Sequence, residues 1–193
     1  MPRKLSPEKR EQFLSSALKL FVANGVKNTS TASIARDAGT ASGTFFLYFP
    51  NKQDLINGLV LQIGRQQSEY INSILNPSLS VWETLFTIWY GSIRWLLDNR
   101  DAYHYIRQVR DSGLIAAEVV QESEQFFEYY YDVIQRGLDE DIIKDYPIEL
   151  IGGILYQDIV AVMDLLIDGL DPTQQEVYIQ LGFGIFWDGI KAG

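Results

Sequence analysis

The sequence predicts an all-α protein, and three observations carry that prediction. Apolar residues recur at helical spacing through almost the whole chain, and alternation of the strand type is nearly absent. Glycine, proline and acidic breaks then cut the chain into segments of helix length. The expected architecture is a three-helix head followed by a helical bundle, about nine helices in all. A chain of 193 residues is long enough to bury a substantial core. With 47% hydrophobic and 21% charged residues it reads as folded rather than disordered.

The elements follow in order. Ser6 is a helix cap and Pro7 suits a first helical position, opening a helix over about 7–24. Phe13, Leu14, Ala17, Leu18 and Phe21 form its apolar stripe, and Gly25 supplies the stop. Thr29 or Ser30 caps a short helix that ends before Gly39, and a second short helix spans about 41–48. Asn51, with Asp54 three residues on, opens a longer helix through an acidic variant of the capping box. Further helices are expected near 78–98, 101–111, 114–137, 147–168 and 172–191. Their breaks are Asn76-Pro77, Asn99, Ser112-Gly113, the acidic run 139–141, Pro147 and Asp171-Pro172.

Composition removes several classes of function. The chain has no cysteine, so disulfides, thiolate chemistry and cysteine-based metal sites are excluded. One histidine, His104, and no glycine-rich phosphate loop leave little for catalysis, so no catalytic residue, metal site or cofactor is expected. The basic start has no apolar stretch behind it, unlike a secretory signal. The apolar segment 148–170 is interrupted by Glu149, Asp158, Asp164 and Asp168, which argues against a membrane span and for a cytoplasmic protein. The net charge of −9 is unevenly spread. Residues 1–55 hold eight cations, among them Arg3 and Lys4, against four anions, a net of +4, while the rest holds eight against 21, a net of −13. A basic head on an acidic body presents one surface to a polyanion.

Segment 31–49 places two short helices around Gly39, the pattern of a helix-turn-helix. Ala35 is small where such helices pass closest, Gly39 admits the positive φ of the turn, and Ile34, Ala38, Phe45 and Tyr48 recur on the inward side. The string Ala38-Gly39-x-x-x-Gly43-Thr44-x-x-x-Tyr48-Phe49-x-x-Lys52, with Ala17, Leu20-Phe21, Gly25, Thr29-Ser30 and Leu55, resembles the DNA-binding domain of the TetR (tetracycline-repressor) family. The likeness covers about residues 10–60.

The resemblance implies a ligand-responsive transcriptional regulator, most often a repressor, with a DNA-binding domain over 1–55 and a ligand-binding and dimerisation domain over 56–193. Residues 40–48 would then be the recognition helix, lying in the major groove of an operator. Thr40, Ala41, Ser42, Gly43, Thr44, Phe46 and Leu47 are its candidate contacts, with Ser30, Thr31, Tyr48 and Lys52 as phosphate-docking candidates. Where family members usually carry an aliphatic residue, a serine, a basic residue and a tyrosine, this chain has Thr40, Ala41, Ser42 and Phe46. Fewer phosphate contacts and a shallower salt dependence are expected from those departures.

One head reads few base pairs, so a palindromic operator bound by a homodimer is expected. The apolar helices 147–168 and 172–191 suit an isologous four-helix interface, with Gly152, Gly153, Gly182 and Gly184 permitting close approach. Trp82, Phe86, Trp89, Tyr90, Tyr103, Phe126, Phe127 and Tyr130 are candidate walls of a pocket for a small, mostly apolar effector, although an aromatic stripe is more often core. Glu118, Glu122, Glu124 and Glu128 read as a solvated face, with a cationic ligand as the alternative. The second functional class is a helical interaction protein, or an activator, with weakened DNA binding; an enzyme comes last.

Overall fold

The computed structural model describes residues 5–110 and 112–193. Arg3 and Lys4, and position 111 at the end of the sixth expected helix, lie outside the described residues. The chain is helical throughout: α1 (Pro7–Asn24), α2 (Thr31–Asp37), α3 (Ser42–Tyr48), α4 (Lys52–Ile74), α5 (Val81–Asp98), α6 (Arg100–Arg110), α7 (Ala117–Glu124), α8 (Glu128–Asp139), α9 (Ile148–Leu166) and α10 (Pro172–Ile190). Among the described residues there is no strand, only an isolated antiparallel bridge between Ile143 and Lys191.

Local chemistry sets most boundaries. Ser6 accepts from the Lys9 amide at the start of α1, and Gly25 donates back to the Phe21 carbonyl at its end. Ser30 caps α2 by accepting from the Ser33 amide. Thr29, the other candidate, is buried instead, and its hydroxyl lies within hydrogen-bonding distance of the Leu20 and Gly25 carbonyls. Asn51 accepts from the Asp54 amide at 2.9 Å, while the Asp54 carboxylate accepts from the Asn51 side-chain amide at 3.1 Å. At α5 the expected start at 78 moves to Val81, because Ser80 and Glu83 form a reciprocal capping box that fixes the entry. Asp171 caps α10 by accepting from the Thr173 and Gln174 amides.

The single helix expected over 114–137 is broken. α7 ends at Glu124, a 3-10 turn covers Gln125–Phe127, and α8 begins at Glu128. Phe127 leaves helical geometry at φ −114°, ψ 23°. The Ser68 hydroxyl donates to the Phe126 carbonyl, satisfying an acceptor at the break. With that break, ten α-helices stand among the described residues, against about nine expected.

The described residues pack as two compact units, neither continuous in sequence. The first comprises the chain up to Arg65 with Asp101–Ser123. Its core holds Phe13, Leu14, Ala17, Phe21, Ile34, Ala35, Phe45, Leu55 and Leu59. Tyr105 of α6 joins it: the ring stacks on Phe21 with centroids 5.8 Å apart, and the hydroxyl donates to the Ile56 carbonyl at 2.9 Å. Burial raises that phenol well above its ordinary pKa, so it is a permanent donor.

The second unit comprises Gln66–Arg100 and Glu124–Gly193. There α5 packs on α8, α9 and α10, and α9 packs on α10. Trp89 is wholly buried and its indole N–H donates to the Ile179 carbonyl at 2.9 Å, pinning α5 to α10. The apolar circumference of α9 is not wholly covered within one chain, since Leu150, Ile154 and Leu165 are exposed. α10 likewise exposes Val177, Tyr178, Leu181 and Ile185, the last two at 61% and 74%.

Candidate nucleic-acid interface

The turn between α2 and α3 is built by backbone chemistry. Gly39 takes φ +65°, a left-handed conformation in which a side chain is strained. Its amide donates to the Arg36 carbonyl and the Thr40 amide to the Ala35 carbonyl, at 3.0 and 2.9 Å. This pair of bonds is a Schellman closure, which stops α2 and redirects the chain. The Thr40 hydroxyl is also directed at the Ala35 carbonyl, at 3.2 Å. Thr40 and Ala41 therefore belong to the turn and cap, and the second helix of the motif begins at Ser42 rather than 40.

Aromatic packing seats α3 on α1. Phe45 is fully buried, and the Phe13 ring meets it edge-on at 5.6 Å and meets Phe49 edge-on at 6.3 Å. Tyr48 is half-buried against Phe13, and its hydroxyl oxygen accepts from the Ser6 amide at 3.1 Å. This contact ties the end of α3 to the start of α1.

The opposite side of α3 faces solvent. Ala41, Ser42, Gly43, Phe46 and Leu47 are exposed, and Thr44 is half-buried. Phe46 and Leu47 are 52% and 65% exposed. Ser30 is exposed but its hydroxyl serves α2 as a cap, and Thr31 in the first turn is half-buried.

Lys52, a phosphate-docking candidate, is engaged within the head. Its ammonium donates to the Val26 carbonyl and lies 5.8 Å from the Phe21 ring centroid. Partial burial lowers its pKa from the ordinary lysine value. Lys52 thus clamps the loop after α1, a role its position in the first turn of α4 did not reveal. Other head cations are also engaged: Lys19 pairs with Asp37 at 2.6 Å, which lowers the pKa of that carboxyl, and Arg10 lies over Phe49 at 5.2 Å. Lys27 and Arg36 are exposed. In the sequence these two enter only through the charge balance of the head, which is the signal that points to them.

The structure divides the eight aromatic candidates of the body. Trp82 stacks on Phe86 at 5.3 Å, Phe86 packs beside Tyr90, and Phe183 of α10 sits edge-on to Trp82 and Phe86. The Tyr90 hydroxyl donates to Glu176 at 3.2 Å. These rings, with Trp89, form the seam between α5 and α10, because their faces are filled by side chains of that helix. Tyr103 is buried in the first unit, whereas the other seven belong to the second. Phe126 and Phe127 are half-buried in the break before α8. Tyr130 is buried, its hydroxyl has no hydrogen-bond partner among the described residues, and its ring lies against Gly152 of α9. Glu118, Glu122 and Glu124 belong to α7, and Glu128 opens α8. His104 lines a shallow open hollow with Val22, Arg107 and Gln108.

An α2–turn–α3 unit of this geometry defines a helix-turn-helix protein. Comparison with known proteins narrows the class. Residues 13–59 match the family model described as "Bacterial regulatory proteins, tetR family". The HTH-type transcriptional regulator SrpR of Pseudomonas putida is 27% identical over 190 residues, spanning 93% of this chain and 84% of that protein. The crystal structure of a tetR family transcription regulator from Shewanella sp. PV-4 superposes with a TM-score of 0.89 at 25% identity, covering 96% of this chain and 99% of that one. A TetR family regulator from Marinobacter aquaeolei VT8 shares the fold with a TM-score of 0.85 at 20% identity, each chain 96% covered. The chain is a helix-turn-helix transcriptional regulator whose head, over residues 13–59, matches the tetR family model, and it is similar to TetR-family regulators over most of its length.

Proposed function

We propose that this regulator acts as a cytoplasmic repressor that binds a palindromic operator as a homodimer and is released by a small, mostly apolar effector. The observation that carries the reading is the seating of α3: one side is locked by Phe45 on Phe13, and the other side is presented to solvent. In that reading α3 enters the major groove with Ala41, Ser42, Gly43, Thr44, Phe46 and Leu47 toward the bases, and Thr40 shapes the turn. Ser30, Thr31 and the Tyr48 hydroxyl flank it toward the phosphates, joined by exposed Lys27 and Arg36. Lys52 positions the loop after α1 rather than reading DNA.

The dimer is proposed to form through the exposed apolar residues of α9 and α10, where Leu150, Ile154, Leu165, Leu181 and Ile185 face solvent in the single chain. A Cβ placed on Gly153 or Gly184 would meet nothing within 4 Å, so both positions leave space for a second copy. The effector site is proposed around Tyr130, Phe126 and Phe127. A buried hydroxyl without a partner costs about 1–3 kcal/mol, and an effector bearing one polar atom would recover it. Among the described residues no helix is long and apolar enough to cross a membrane.

A gel-shift titration against the DNA upstream of the chain's own coding sequence tests the whole reading. Saturable binding by a dimer, reversed by a small apolar compound that also raises Tm, is the expected result. A protein that is dimeric and folded yet retards no DNA would favour the second reading, a helical interaction protein with weakened DNA binding. The uncharged surface of α3 is the observation on that side.

A further inference from the structure

The side of α3 that faces solvent lacks the usual instruments of base recognition. No charged residue occurs between Asp37 and Lys52, and no asparagine or glutamine precedes Asn51 in that stretch. Guanine is usually read by a bidentate arginine or lysine and adenine by a bidentate asparagine or glutamine. Neither contact is available from α3. The polar groups it offers are the hydroxyls of Ser42 and half-buried Thr44. The large exposed groups are both apolar, Phe46 at 52% and Leu47 at 65%. Phe46 packs edge-on against buried Phe45, with centroids 5.3 Å apart and planes at 83°, so its outward direction is set by the head's own core.

An exposed apolar pair could instead be a protein-docking surface. The head's net charge of +4 against −13 for the remainder argues for a polyanion as the occupant of this face. On the floor of the major groove the apolar feature that distinguishes one base from another is the C5-methyl of thymine.

We infer that Phe46 and Leu47 determine specificity by contacting thymine methyl groups, so that each operator half-site is a B-form duplex with thymines beneath α3. This rests on the DNA-binding reading above and adds to it the chemistry by which sequence is read.

The test uses the full-length dimer and duplexes selected by it from a random-sequence pool. The tightest duplex is resynthesised with deoxyuridine at each thymine in turn, which removes the methyl and keeps the pairing and the O4 acceptor. Each contacted methyl is expected to be worth about fourfold in affinity, the value of about 0.8 kcal/mol per buried carbon. Phe46→Ala and Leu47→Ala should bind more weakly and lose that sensitivity at the thymine each one touches, whereas Ser42→Ala should keep it. Both apolar residues are exposed, and unchanged melting of the variants checks the fold. Effects of uracil on duplex shape would persist in Phe46→Ala and Leu47→Ala, and such persistence would overturn direct contact. Selected half-sites without thymine, or binding indifferent to deoxyuridine, would also overturn the inference while leaving DNA binding intact. If no duplex is enriched from the pool, the DNA-binding reading fails, and this one with it.

Discussion

A Cβ on Gly182 would lie 2.6 Å from Val162 Cγ2 and 2.9 Å from Trp89 Cζ2, distances that side-chain carbons essentially never reach. Trp89 has no room to give, being fully buried and hydrogen-bonded to α10. Gly182→Ala should therefore destabilise by about 1–3 kcal/mol, the usual cost of overpacking, read as a lower denaturation midpoint at unchanged slope. Gly152, Gly153 and Gly184 look equivalent to Gly182 in the sequence. They are not: a Cβ on Gly152 would lie 3.3 Å from the Tyr130 ring of α8, and one on Gly153 or Gly184 would meet nothing within 4 Å, which only the tertiary packing decides. Asp158 makes a second prediction at this scale. Partial burial on α9 raises its pKa above the ordinary 3.8, so the fold disfavours its charged form. A raised carboxyl pKa contributes its full stability only below the unfolded value and loses it as pH rises through the folded one. Asp158→Asn should accordingly raise Tm at pH 7, with the advantage vanishing below about pH 4; an equal gain at every pH would show that charge is not the cause.

Among the elements, α1, α2 and α4 were the most legible because each opens or closes on a residue whose side chain or backbone does the work locally: Ser6, Gly25, Ser30, Gly39 and Asn51. The break between α7 and α8 was not legible. Its segment holds no glycine or proline before Gly137, and a hydroxyl from Ser68, nearly sixty residues away, satisfies the freed carbonyl. α3 carries its own prediction. With no cation on its surface, and with Lys19, Arg10 and Lys52 engaged within the head, few phosphates should be neutralised. A plot of log affinity against log salt should fall with a slope shallower than about −5 per dimer, the figure for about six phosphates on B-DNA. A steeper slope would mean that cations outside α3 dominate the contact.

At the scale of the whole molecule the exposed apolar residues of α9 and α10 are the surface proposed for assembly. Ile185 at 74% and Leu181 at 61% exposure are unexplained by the packing of one chain. An arginine in place of Ile185 would bring two like charges together across a two-fold axis. Ile185→Arg should yield a folded monomer by sedimentation, with operator affinity reduced at least tenfold because two linked heads become one. A variant that remained dimeric would move the interface elsewhere.

The sequence by itself determined the helical class, the three-helix head, the turn at Gly39 and the likeness to TetR regulators. These depend on short-range chemistry, caps and 3.6-residue spacing, which is written in neighbouring residues. The tertiary structure decided what depends on distant partners. It put Lys52 on the Val26 carbonyl and turned the aromatic stripe of α5 into a seam with α10. Among the described residues it left the Tyr130 hydroxyl without a hydrogen-bond partner, and it left apolar residues of α9 and α10 exposed. Periodicity marks a residue as apolar, but only the assembled helices determine whether its neighbour is a core side chain or solvent.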